Sequence, residues 1–188
     1  MNLFLDTSNN KLIIILEKNN KVIDTLFLDN QIRVSDIVLN QLDSFLNKNN
    51  LTIKEIENLY AIKGPGSYTG VRVAITIVKT LKTLNEKFNV FTLSSLAFQA
   101  GNNKTISILD ARGAKIYLGI YDNGKNIIED QLLPFEYLED FQKQFSDFSL
   151  VTDYKDIDFK KCYFETKSFF VEIKNLEDIK PLYIKNFI

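Results

Sequence analysis

The opening of the chain restricts its fold more than any other feature. Three short apolar runs follow one another: Asn2 to Leu5, Lys11 to Glu17 and Val22 to Leu28. The second carries Leu12, Ile13, Ile14, Ile15 and Leu16 without a break, and Asn19-Asn20 marks a turn after it. Runs of this length, rich in β-branched residues and bounded by turn residues, read as a meander of three strands. The first ends in Asp6-Thr7-Ser8. The period then changes. From Ser35 to Asn47, Val34, Ile37, Val38, Leu42, Phe45 and Leu46 fall on one side of a helix, and Asp36, Asn40, Asp43 and Asn47 on the other. A helical turn at Ile53 to Asn58, a strand at Leu59 to Lys63, a helix at Val71 to Asn85 and a strand at Asn89 to Thr92 complete the first half.

A meander followed by alternating helix and strand predicts an α/β layer structure of the ribonuclease-H-like kind. Gly101-Asn102-Asn103 reads as a hinge, after which the pattern partly restarts. Strands are expected at Lys104 to Leu109, Lys115 to Tyr121 and Lys125 to Leu133, and a helix at Phe135 to Phe145. Shorter apolar pieces follow at Phe148 to Thr152, Tyr163 to Glu165 and Phe169 to Val171. The expectation is two ribonuclease-H-like subdomains, 1–100 and 101–188, the second reduced, with an internal duplication behind them.

Composition narrows the chemistry. The 188 residues include no histidine and one cysteine, Cys162. The commonest general acid/base and the commonest transition-metal ligand are therefore missing, and a Cys/His zinc site cannot be built. A metal would have to be held by carboxylates, which favours Mg²⁺ or Ca²⁺. With a net charge of −1, the chain has no bulk positive field for a phosphate backbone. No leader pattern stands at the start, and no apolar run approaches the roughly 20 residues of a membrane span. The reading is a soluble, cytoplasmic protein, with Cys162 an ordinary partly buried thiol.

The strongest local signal is Gly64-Pro65-Gly66-Ser67-Tyr68-Thr69-Gly70, between a strand and a helix. Gly66 is placed to take a positive φ or to let another backbone come close, and Ser67 or Thr69 to cap the helix. Such a loop can hold an anion, but no Gly-Lys-Ser/Thr ends it and Pro65 lacks an N–H. A structural turn, a phosphate contact and a partner contact all remain open. In the helix that follows, Val71, Val73, Ala74, Ile75, Ile77, Val78, Leu81 and Leu84 cover an arc of roughly 200°. The first helix is widened in the same way by Leu39, Leu42 and Leu46. A helix lying on a sheet needs only about 100°, so the surplus serves either the other helix or a partner protein. Asp6 reads as a turn cap with Thr7 and Ser8. In a second reading Asp6 or Asp110 holds Mg²⁺ in an actin-like ATPase or kinase.

The loop and its helix resemble the TsaB (YeaZ) family, whose Gly-Pro-Gly-Ser-Phe-Thr-Gly-Leu-Arg signature is matched by Gly64, Pro65, Gly66, Ser67, Thr69, Gly70 and Arg72. Tyr68 stands for Phe and Val71 for Leu; Lys79 matches further along, while Thr80 replaces a Gly. Asp6-Thr7-Ser8, Asp110-Ala111-Arg112 with Tyr117, and Pro181-Leu182-Tyr183-Ile184-Lys185 match in order, whereas Lys115 stands where Glu is usual. The resemblance implies an actin-like, sugar-kinase-like (ASKHA) fold without catalytic equipment. It also implies an accessory, non-enzymatic subunit needed to form N6-threonylcarbamoyladenosine in tRNA. Such a subunit pairs with a TsaD-like catalytic subunit, recruits a TsaE-like ATPase, sometimes forms homodimers, and meets tRNA only through the complex. The expected partner face is Val34, Val38, Leu39, Leu42, Val71, Arg72, Ala74, Ile75, Val78 and Lys79. No cofactor is expected to be held tightly by the chain alone. ATP or ADP would lie at the partner interface, touched by Gly64, Gly66, Ser67, Thr69, Gly70 and Arg112. The segment between Glu165 and Pro181 is short for the family.

Overall fold

The computed structural model describes residues 1–31 and 33–184 and divides into two compact units. The first holds Met1–Lys63, Ser67–Leu93 and Phe170–Pro181; the second holds Gly64–Gly66 and Ser94–Phe169. In the first unit, β1 (Asn2–Asp6), β2 (Leu12–Lys18) and β3 (Lys21–Leu28) form the expected antiparallel meander. Helix α1 (Val34–Lys48), β4 (Asn58–Ile62), α2 (Tyr68–Leu84) and β5 (Asn89–Leu93) follow, with β4 and β5 added in parallel beyond β1. The sheet has six strands because β10 (Val171–Ile173), more than 70 residues later in the chain, pairs antiparallel with β5 at its edge. Sequence reading left this stretch as an unplaced apolar piece, Phe169 to Val171.

The packing explains why these residues form these elements. Alternate residues of the central strands, Leu3 and Leu5, Ile14 and Leu16, Leu59 and Ala61, face α1 and α2. The intervening residues are buried too, Phe4 fully and Ile13 and Ile15 almost so. That is why β2 reads as a continuous apolar run rather than an alternating one. On that side Phe170 meets Phe4 and Tyr60 edge-on, at 6.2 Å and 5.2 Å between ring centroids, and Tyr60 stacks on Phe91 at 4.8 Å. Helix α1 has no side-chain cap at its start, so packing holds it: Val34, Val38, Leu42, Phe45 and Leu46 recur at i, i+4, i+8, i+11 and i+12 and are all buried. Each such side chain contributes about 1.5–3 kcal/mol on burial.

One end of this sheet carries a polar row. Asn89 donates its amide to Asn58 at 2.9 Å, Asn58 donates to Asn2 at 2.7 Å, and Asn2 donates to the carboxylate of Glu17. The row crosses β5, β4, β1 and β2, following the strand register residue for residue.

In the second unit, β6 (Thr105–Arg112), β7 (Lys115–Asp122) and β8 (Lys125–Pro134) form another meander, and β9 (Ser149–Thr152) adds in parallel to β6. The order β8-β7-β6-β9 repeats the first unit's β3-β2-β1-β4. The helix α4 (Leu138–Gln144) packs Leu138 and Phe141 on Ile106, Ile108, Ile116 and Leu118. The expected helix over Phe135 to Phe145 is shorter because its first turn, Phe135–Tyr137, is 3₁₀. Two further helices were not foreseen. α3 (Ser95–Ala100) starts at the Ser94 hydroxyl and stops at Gly101, φ +62. α5 (Phe159–Thr166), which contains the apolar piece Tyr163 to Glu165, is capped by the Asp158 carboxylate accepting from the amides of Lys160 and Lys161. Among the described residues no helix is long and apolar enough to cross a membrane.

Candidate functional site

Helix α2 begins at Tyr68, three residues before the expected Val71, because Ser67 caps it: its hydroxyl accepts from the Gly70 amide at 3.3 Å. The start lies against the end of β1. The Ser67 amide donates to the Ser8 carbonyl at 2.6 Å, and the Asp6 carboxylate accepts from the Ser8 amide at 2.7 Å, the turn-capping role expected of it. Thr7, fully buried, donates its hydroxyl to the Gly70 carbonyl at 2.6 Å and accepts from the Ala74 amide at 3.2 Å. It is thus inserted between a carbonyl and amide four residues apart, at the first turn of the helix. A Cβ on Gly70 would stand 2.0 Å from the Thr7 carbonyl oxygen. Only glycine admits this approach. Gly66 does take a positive φ, +155, but the close backbone approach belongs to Gly70.

Several of the loop's polar groups are engaged within the protein. The amides of Ser67, Gly70 and Val71 all donate to protein oxygens. Upstream, the Gly64 carbonyl accepts from the Ser95 amide at 2.9 Å and the Pro65 carbonyl from the Ser95 hydroxyl; the Gly64–Pro65 peptide is cis. These bonds give the loop a structural role at the start of α2. Of the residues read as nucleotide contacts, Ser67, Thr69 and Gly70 belong to the first unit, and Gly64, Gly66 and Arg112 to the second. Arg112 is exposed in the turn from β6 to β7 at φ +64, and its amide donates to the Asp110 carboxylate at 2.8 Å. Asp110 thereby caps its own turn, as Asp6 does. Among the described residues no three His, Cys, Asp or Glu side chains gather as a metal site.

The expected partner residues divide by burial. Val34, Val38, Leu42, Ala74, Ile75 and Val78 lie in the core between the sheet and the two helices, and Val71 is buried as well. Much of each arc is covered within the unit, because α1 and α2 pack on each other as well as on the sheet, while Val38, Val73 and Ile77 also line the groove between them. Leu39, 63% exposed, and Arg72 stand at the surface, and Lys79 is half-buried. Leu39 and Arg72 line a largely apolar groove between α1 and α2 of about 360 Å³, together with Ser35, Tyr68, Thr69 and Thr76. The Arg72 guanidinium lies 4.5 Å from the centroid of the Tyr68 ring, which is itself 62% exposed. Sequence reading missed Ser35, Thr76 and the surface role of Tyr68, since none belongs to an apolar arc. Cys162 is buried, and burial with the nearby Glu165 and Asp158 carboxylates pushes its thiol up to about 12. This is an inert thiol rather than a reactive one. The final match to the family, Lys185, lies outside the described residues.

A family model described as TsaD, tRNA N6-adenosine threonylcarbamoyltransferase, matches residues 32–175. A curated relative from Bacillus subtilis, the tRNA threonylcarbamoyladenosine biosynthesis protein TsaB, is 32% identical over 137 residues, covering 70% of this chain and 59% of that protein. The chain belongs to the TsaB (YeaZ) family. A Mycoplasma pneumoniae relative, an uncharacterized MG208 homolog, is 28% identical over 98% of this chain and 94% of its own length. Among solved structures, YeaZ from Pseudomonas aeruginosa matches at TM-score 0.70, with 18% identity over 97% of this chain and 99% of that one. A Pseudomonas aeruginosa protein described as similar to peptidase YEAZ matches at TM-score 0.76, also with 18% identity, over 98% and 99%. The TsaB fold here is therefore the actin-like, ribonuclease-H-like one expected, with two sheets and a smaller second unit.

Proposed function

We propose that this TsaB-family chain is a non-catalytic subunit of the machinery that forms N6-threonylcarbamoyladenosine in tRNA, working in the cytoplasm. It pairs with a TsaD-like catalytic subunit, and the pair recruits a TsaE-like ATPase. Membership in a family whose named members are threonylcarbamoyladenosine biosynthesis proteins carries the pathway. The groove between α1 and α2 supports the partner role: exposed Leu39 and the Tyr68 ring offer apolar contact around a charged rim. The lack of any histidine, and the engagement of both Asp6 and Asp110 in their own turns, speak for a supporting role rather than a catalytic one. The chain meets tRNA only through the complex, and ATP or ADP binds at the shared interface rather than to the chain alone.

The test is co-expression with the TsaD-like subunit of the same organism, followed by mass measurement in size-exclusion chromatography. A one-to-one complex is expected, and Leu39→Asp should abolish it while leaving the melting temperature of the chain unchanged. Wild-type chain that elutes apart from the TsaD-like subunit, in cells whose tRNA keeps its threonylcarbamoyladenosine after deletion, would refute the proposal. Labelled ADP should bind the complex and not the isolated chain.

A further inference from the structure

In the second unit the ladder between β7 and β8 slips beside Gly119. Leu118 pairs with Gln131 and Ile120 with Ile128, so Gly119 faces two residues, Glu129 and Asp130. A bulge of this kind redirects a side chain. The Asp130 carboxylate lies against Gly119, where a Cβ would collide with it and stand 2.9 Å from the Tyr121 ring. One carboxylate oxygen accepts from the Tyr121 hydroxyl and the other from the Ser94 hydroxyl. Burial first, and the Asp130 carboxylate next, hold the Tyr121 phenol well above its usual range, so it stays a donor.

The Ser94 hydroxyl has a single proton, which goes to Asp130. Its lone pair accepts from the Leu96 amide at 3.2 Å and caps α3. The next residue, Ser95, is fully buried and holds the turn that precedes α2: its amide donates to the Gly64 carbonyl at 2.9 Å and its hydroxyl to the Pro65 carbonyl. All of these residues belong to the second unit. We infer that Asp130 is a positioning residue for the Gly64-Pro65-Gly66 turn, acting through Ser94 and Ser95 at the start of α3. A serine hydroxyl left to itself rotates among partners. A bond to a carboxylate is stronger than one between neutral groups and fixes that rotor. The first turn of α3 is fixed with it, and so is the direction in which Ser95 presents its two donors. The opening residues of the glycine signature are thereby set from β8, through side chains that lie outside the signature.

Amide hydrogen exchange on the full-length chain, resolved residue by residue, tests this, with the β6 amides as the reference for the second unit as a whole. In Asp130→Asn, which keeps the shape but offers one acceptor instead of two, the Ser95 amide should exchange at least about tenfold faster while β6 changes little. Gly119→Ala should do the same without removing any polar group, because its methyl displaces the carboxylate. If Asp130 acts through Ser94, adding Asp130→Asn to a Ser94→Ala chain should raise exchange at Ser95 by less than about twofold more. A Ser95 amide that exchanges as in the wild type in both Asp130→Asn and Gly119→Ala would overturn the inference. Acceleration of β6 equal to that of Ser95 would overturn it too, since Asp130 would then stabilise the unit without positioning the turn. A full tenfold step from Asp130→Asn on the Ser94→Ala background would overturn the route through Ser94.

Discussion

The two units start from the same βββ meander with a parallel strand added, yet their helices differ. In the first unit α1 and α2 are 15 and 17 residues long and pack on each other as well as on the sheet. In the second, α3, α4 and α5 have 6, 7 and 8 residues. Of these, α4 buries Leu138 and α5 buries Cys162, Tyr163 and Thr166. Long ones leave an outer face, and in the first unit that face is the groove at Leu39, Tyr68 and Arg72. The same topology thus yields one unit with two long helices that enclose a groove and another with three short helices.

The position of α2 is what makes the first unit different, and the contact that sets it is the one to break. Gly70→Ala should have the largest effect. Its Cβ would meet the Thr7 backbone, which has no flexible end to move aside, so a loss of about 3 kcal/mol or more is expected in urea denaturation. Gly113→Ala in the β6–β7 turn of the second unit, where nothing lies within 4 Å, should cost only the strain of its φ of +60, about 1 kcal/mol. Equal losses would show that α2 is not seated by this approach. Thr7→Val should come next: it keeps the shape and removes the hydroxyl serving Gly70 and Ala74, for about 1–3 kcal/mol. Thr7→Ser should recover most of that.

The last effect belongs to the second unit and is absent near neutral pH. The folded state holds the Cys162 proton to about 12, against an ordinary 9.0. Its contribution is therefore complete below pH 9 and is lost as pH rises from there towards 12, because the unfolded chain ionises first. Unfolding measured between pH 8 and 11 should show the stability of wild type falling relative to Cys162→Ala. A constant difference would mean that the thiol is less buried than described.

The meander and α1 were legible because local chemistry determines them: β-branched runs in one case, an i, i+4 stripe in the other. The start of α2 was not, since Tyr68-Thr69-Gly70 has no apolar stripe and a glycine there argues against helix. The reason for that glycine is a carbonyl more than 60 residues away. The three residues of β10 could not be placed for a similar reason, as their partner strand is distant in the chain. The partner face was half legible. Apolar arcs showed that α1 and α2 bury a great deal, but an arc does not say how much the unit itself consumes. The exposed remainder is marked by Ser35, Tyr68 and Thr76, residues with no periodic signal.

The polar row from Asn89 to Glu17 gives the first sheet a means of proofreading. The apolar stretch of β2 is uniform from Leu12 to Leu16, so sliding by one residue would still bury apolar side chains on both faces, and hydrophobicity alone barely penalises the error. The row does penalise it. A slipped strand would carry Glu17 away from Asn2, leaving a carboxylate that is 1% exposed to seek other donors, a cost of several kcal/mol. Because the row links β2 to β5 through β1 and β4, a mistake at any of these pairings is felt along the line. Strands brought together from opposite ends of the first unit's sequence are thereby held to one alignment.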